Sequence, residues 1–314
     1  MSYLGKILTG IDRLTHFQLY RDLCELSPKA CDISYGKTCK GAQTVFDQAT
    51  GNDSKDIVSL SIEALGNLSV SDVTYVFLHR LVKEEGKVPV KIPLAKIQAM
   101  NASKSDLTKY DSLYDFGKYC YQRFRENHKG LNEQQYFEYC IKAGLREGDT
   151  DFDIKLWSPT LRWENAGGSH RFSAAYYVGI EQGYDWTIAG NLRLYSLDHE
   201  WLTQVFQVFD TFLFQIDGDI DWGVLFEVFD LHNSKNTMVD IRANYSNDLT
   251  NALTSDKINI ILLLHKKQRL PRFAKQWLET HLKNGQIKRF NEVVKELQVV
   301  EVAARKRMNR FRIG

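Results

Sequence analysis

Apolar residues fall three and four apart over 71–86. Ser71 reads as an N-cap, Val73, Val76, Phe77 and Leu81 follow on one face, and Gly86 reads as the helix stop. Just before this stretch, IVSLSIEAL (57–65) alternates instead, with Val58, Leu60 and Ile62 on one side, as a half-buried strand would. KVPVKIPLAKI (87–97) predicts a strand interrupted by prolines, which places it at a sheet edge or a strand end. Residues 106–144 are mainly helical in pattern. DFDIKLW (151–157) returns to strand, SPTLRWENAGG predicts a hairpin or turn, Arg171–Gly183 a helix, and TIAGNLRLYSL (187–197) a further strand. After residue 200 the chain is rich in Phe and Trp, then turns helical. Pro271 opens one helix with Ala274, Trp277, Leu278, His281 and Leu282 as its apolar stripe, and Gly285 ends it. A second helix starts near Lys288 with Phe290, Val293, Val294 and Leu297 inward.

This order predicts an α+β protein. Its centre is a compact mixed domain at 87–200. A mixed α/β extension (1–86) precedes the domain, and a mainly helical, aromatic-rich and basic region (201–314) follows it.

Composition adds three constraints. Hydrophobic residues are 43% and aromatics 12%, with five prolines, the profile of a folded chain. The net charge is only +2, yet residues 266–314 hold fourteen Lys and Arg against four Asp and Glu. That excess makes the C-terminal region the expected contact for an anionic partner, nucleic acid or an acidic surface. Trp277 and Phe311 are available there for packing or stacking, but no helix-turn-helix pattern supports sequence-specific reading. The five cysteines, Cys24, Cys31, Cys39, Cys120 and Cys140, have no paired spacing, so reduced thiols are expected and neither a disulfide framework nor a zinc site. MSYLGKILTGIDRLTHF lacks a signal-peptide core, and INIILLL (258–264) is too short to span a bilayer. A soluble, cytoplasmic protein with no membrane contact is expected; nothing in the pattern sets its oligomeric state.

The segment with chemistry is NAGGSHRFSAAYYVG (165–179). Glycines at a strand-to-helix junction let backbone N–H groups approach an anion, and the helix turns its partial positive end to the same place. Arg171 adds a bidentate clamp suited to phosphate, and Ser169 and His170 add a hydroxyl and an imidazole.

In order, KVPVKIPLAKI, DLTKYDSL (106–113), DIKLW, GGSHRFSAA and TIAGNLRLYSL resemble the sulfiredoxin/ParB superfamily over about a third of the chain. Sulfiredoxins open on a V-x-x-I/V-P-L strand and continue through a D-x-x-K-x-x-S-L helix start to a Gly-Gly-Cys-His-Arg turn. The resemblance implies a nucleotide, ATP or CTP, whose phosphates lie among Gly167, Gly168, Ser169, His170 and Arg171, with Lys109 and Ser112 as further contacts. Relatives of this kind transfer or hydrolyse a phosphoryl group, normally with Mg²⁺, or act as nucleases. Catalytic roles are therefore expected for His170, Arg171 and Glu164, the last as a base or metal ligand, and Asp106 is a candidate Mg²⁺ ligand.

Two departures narrow the chemistry. Ser169 stands where sulfiredoxins carry their catalytic cysteine, and a hydroxyl cannot form the sulfur–sulfur intermediate of sulfinate repair. The ParB arginine stretch is absent and the 114–150 connection is long, which argues against a CTP-driven clamp. YGKTCKG (35–41) lacks the P-loop glycine, having Cys31 in its place, and QIDGDIDWG (215–223) fails the calcium-loop pattern at Gly223 and Val228. The expected function is nucleotide binding with phosphoryl hydrolysis or transfer, acting with nucleic acid. The alternatives are a ParB-like nuclease, as a toxin or defence component, and a non-catalytic nucleotide-gated interaction protein.

Overall fold

The computed structural model describes residues 17–31, 34–39, 41–44, 46, 61–145, 150–165, 167–217, 222–231, 235–242 and 257–311. The chain forms two compact units. One combines Met1–Ile33, Gln48–Val82 and Asp198–Leu297; the other combines Ser34–Asp47, Lys83–Leu197 and Gln298–Gly314. Both flanks of the central block thus contribute to the first unit.

The first unit is built on a four-stranded sheet of order β11-β8-β10-β9, with β8 at Phe209–Asp217, β9 at Thr237–Arg242, β10 at Lys257–His265 and β11 at Lys288–Arg289. The INIILLL run is β10, paired antiparallel with β8 on one side and β9 on the other. Its residues are buried throughout, so it shows no polar alternation. Helices still predominate over strands among the described residues of 201–314, but the helical reading left out this sheet: strands covered on both faces have no period of two to betray them. Leu23 of helix α1 (Phe17–Glu25) and Phe273 and Trp277 of the helix Arg272–Lys283 share a core with Phe214, Phe229, Ile260 and Leu262. Of the packing and stacking roles open to Trp277, the structure shows packing: it is a core residue. The Phe311 side chain and residues 312–314 lie outside the described residues.

Helix α2 spans Val70–Leu81 and buries the four expected apolar residues. Its cap is Ser69, two residues earlier than expected, whose Oγ accepts the Asp72 N–H at 3.2 Å. Gly86 does not stop this helix; β3 (Val82–Pro93) begins directly after Leu81 and carries Gly86 at φ 147°. Of the strand expected at 57–65, residues 57–60 lie outside the described residues and Ile62–Asn67 is a 3-10 helix.

Besides the antiparallel pair β1 (Ser34–Thr38) and β2 (Gly41–Thr44), the second unit holds a five-stranded mixed sheet of order β3-β7-β5-β6-β4, with β4 at Ala99–Met100, β5 at Asp151–Lys155, β6 at Ser158–Glu164 and β7 at Thr187–Leu197. The proline-bearing β3 lies at its edge, where a missing N–H costs no ladder bond. β5 pairs antiparallel with β6 and parallel with β7. Helices α3 (Leu113–Phe124), α4 (Glu133–Gly144) and α5 (Ser169–Gln182) bury Phe116, Phe137 and Phe172 in one cluster with Phe152, Trp163 and Leu192 of the strands. Among the described residues, no helix is long and apolar enough to cross a membrane.

Candidate functional site

β6 ends at Glu164 and α5 begins at Ser169, so the glycine turn is the direct link between a strand and a 14-residue helix. Gly167 and Gly168 have φ of 153° and 71°, a region that disfavours any side chain. A Cβ on Gly168 would also lie 2.3 Å from the Gly144 carbonyl, so this glycine is required by packing against α4. A Cβ on Gly167 meets nothing within 4 Å, so the outer side of the turn is open. Gly168 is the N-cap and offers no side-chain acceptor; the first intrahelical bond is Phe172 N–H to Gly168 O at 2.9 Å. The N–H groups of Ser169, His170 and Arg171 precede that bond.

A second segment, Asn101-Ala-Ser-Lys-Ser105, is fastened along the turn by five side-chain hydrogen bonds. Asn101 Nδ2 donates to Glu164 Oε2 at 2.9 Å. Asn165 accepts the Ala102 N–H at 3.1 Å and donates to the Ala102 carbonyl at 2.7 Å. Ser103 and Ser169 share a hydroxyl–hydroxyl bond of 3.0 Å, and Ser105 Oγ lies 2.9 Å from His170 Nε2. β4 pairs parallel with β6 at Ala99↔Arg162 and Met100↔Trp163, which sets the register of this fastening.

The expected site residues divide accordingly. Ser169 is only 6% exposed and engaged with Ser103. The His170 imidazole packs against the rings of Phe116 and Phe124, at 5.5 and 5.8 Å. Burial, then the charges of Arg123 and Lys104, lower its pKa, which favours the neutral ring. Arg171 is exposed on the first turn. Among the described residues, Lys109 and Ser112 have no hydrogen bond or ion pair to the turn. Lys109 is 3.8 Å from Asp106, and Ser112 caps α3 by accepting the Asp115 N–H at 3.1 Å. Asp106 caps the short 3-10 turn Leu107–Lys109 through the Thr108 N–H at 3.0 Å. Among the described residues no three His, Cys, Asp or Glu side chains gather as a metal-binding group. The turn thus fits phosphate, whereas a Mg²⁺ ion would depend on the phosphates themselves for most of its ligands.

Glu164 sits at the edge of a polar sheet face that residue-by-residue motif reading missed. Asp153 and Arg162 face each other across β5 and β6 in a bidentate pair, both bonds 3.0 Å, at 2% and 7% exposure. Burial and then the Asp153 charge raise the Glu164 pKa, while Arg162 and the Asn101 bond oppose the shift. A carboxyl group held this way is suited to proton exchange. The signal was present in the alternation of DFDIK, which sends Asp151, Asp153 and Lys155 to one face. Burial pushes the Cys39 and Cys120 thiols up to about 12, which disfavours thiolate chemistry at these two residues.

Residues 89–269, more than half of the chain, match one described family. The chain belongs to the family of unknown function DUF6685. No curated protein matches this DUF6685 chain, and no solved structure matches it.

Proposed function

We propose that the second unit binds the phosphates of a nucleotide, ATP or CTP, at residues 167–171, in phosphoryl hydrolysis or transfer. The observation that carries this reading is the start of α5. Its N-cap is a glycine without a capping side chain, and an exposed Arg171 stands on its first turn. The charges of Lys104 and Arg123 act on the neighbouring His170. Three backbone N–H groups and a positive helix end favour an anion, and a guanidinium adds bidentate contact. The resemblance to the sulfiredoxin/ParB superfamily supports a nucleotide as the source of that anion.

Exposed Lys266, Lys267, Arg269, Arg272, Lys275 and Lys283 of the first unit are the proposed contacts for nucleic acid. Binding that does not weaken with rising salt would contradict such phosphate contacts.

Calorimetric titration with ATP and with CTP, each with Mg²⁺, tests the main reading. Saturable binding of at least one nucleotide is expected, with about tenfold or greater weakening in Arg171→Ala, equivalent to ~1.4 kcal/mol or more. Equal affinity of Arg171→Ala and the natural chain would overturn it.

A further inference from the structure

The contact between Ser105 and His170 has a chemistry that the phosphate site alone does not need. Ser105 is half-buried in the loop that Asn165 and Ser103 fasten to the turn, with its own N–H donated to Ser103 Oγ at 3.1 Å. Its hydroxyl oxygen is 2.9 Å from His170 Nε2. A nucleophile and a base within hydrogen-bond reach, with the base fixed by its surroundings, is the arrangement that activates a weak hydroxyl nucleophile. Here the fixing surroundings are the rings of Phe116 and Phe124. The other hydroxyls of the site are placed differently: Ser169 is buried against Ser103, and Ser103 accepts the Ser105 N–H.

We infer that Ser105 is a phosphoryl acceptor, with His170 as its base, for a nucleoside triphosphate held at residues 167–171. The inference rests on the phosphate-binding reading above. Ser105 Oγ forms a bond to the γ-phosphorus as the bond from that phosphorus to the β–γ bridging oxygen breaks. The Ser105 hydroxyl proton passes to His170 Nε2, and the electron pair of the broken bond leaves with the nucleoside diphosphate. The step needs the tautomer with the other proton on Nδ1, so that Nε2 accepts from the serine. A neutral ring is required, and the lowered His170 pKa agrees with that. Lys104, next to Ser105 and exposed, supplies charge where the transferred group arrives.

The test incubates the full chain with ATP and, separately, CTP, each labelled in the γ-phosphate and with Mg²⁺. Binding of each nucleotide is measured in parallel by calorimetry. One phosphoryl group per chain is expected, and fragmentation mass spectrometry of the natural chain places it on Ser105. Ser105→Ala takes up no label, and His170→Gln takes it up about 100-fold or more slowly. Nucleotide binding without label on Ser105, or label on another residue, overturns the acceptor assignment and leaves the phosphate site standing. Absence of binding by either nucleotide overturns the phosphate site, and the acceptor with it. Because the site is mapped on the natural chain, the result does not depend on either variant folding.

Discussion

Asn165 closes a two-bond ring with the backbone of Ala102, accepting its N–H at 3.1 Å and donating to its carbonyl at 2.7 Å. The residue touches no chemistry itself, yet it sets the loop that presents Ser103 and Ser105 to the turn. Asn165→Asp keeps the acceptor but replaces the donor with a charge facing a carbonyl. A loss of about 1–3 kcal/mol in urea unfolding is expected, with weaker nucleotide binding measured by calorimetry. Unchanged stability and affinity would show that the loop is held without it.

The two glycines of the turn separate packing from backbone strain. Gly168→Ala meets both a φ of 71° and the Gly144 carbonyl at 2.3 Å; Gly167→Ala meets the φ of 153° alone. Strain of about 1–3 kcal/mol is expected for Gly167→Ala and a larger loss for Gly168→Ala, because α4 and α5 must also move apart. Thermal unfolding of the pair checks the order, and equal losses would remove the packing role of Gly168.

Arg162 and Asp153 form a buried pair whose worth depends on both members being present. Arg162→Met leaves the Asp153 carboxylate buried without its partner, at an expected cost of about 3–5 kcal/mol. The double change Asp153→Leu with Arg162→Met removes both charges and is expected to recover most of that loss. Chemical unfolding of the single and double variants completes the cycle.

His170 links stability to pH. Its folded pKa lies below the ordinary 6.5, so the unfolded chain binds the proton more readily. Its contribution is complete above 6.5 and is lost as pH falls from there through the lowered folded value. Melting temperatures from pH 8 to pH 5 are expected to fall more steeply for the natural chain than for His170→Gln. Parallel profiles would mean that the imidazole titrates alike in both states.

Much of the second unit was legible because its elements repeat at the period of their own geometry. β7 coincides with the predicted 187–197, and α5 begins two residues before the predicted Arg171, at the turn the glycines announce. β5 shows its two faces directly in the alternation of Asp151, Phe152, Asp153 and Ile154. The first unit was harder. Ile258 to Leu264 carry no alternation, since neighbours cover both faces of β10, and a continuous apolar run of that length suits several environments.

The sequence by itself determined where an anion-friendly helix start lies, because Gly167, Gly168 and Arg171 are adjacent and their chemistry is local. It also determined that Ser169 cannot perform cysteine chemistry. Only the tertiary structure decided which groups surround that turn. Asn101, Ser103 and Ser105 lie more than sixty residues before the partners they meet, and the parallel pairing of β4 with β6 brings them there. Lys109 with Asp106 and Ser112 with Asp115, by contrast, are local pairs three residues apart, set within a single turn of chain. Spacing along a chain reports backbone geometry within one element; which side chains share a site depends on strand register and helix packing, which are set between elements.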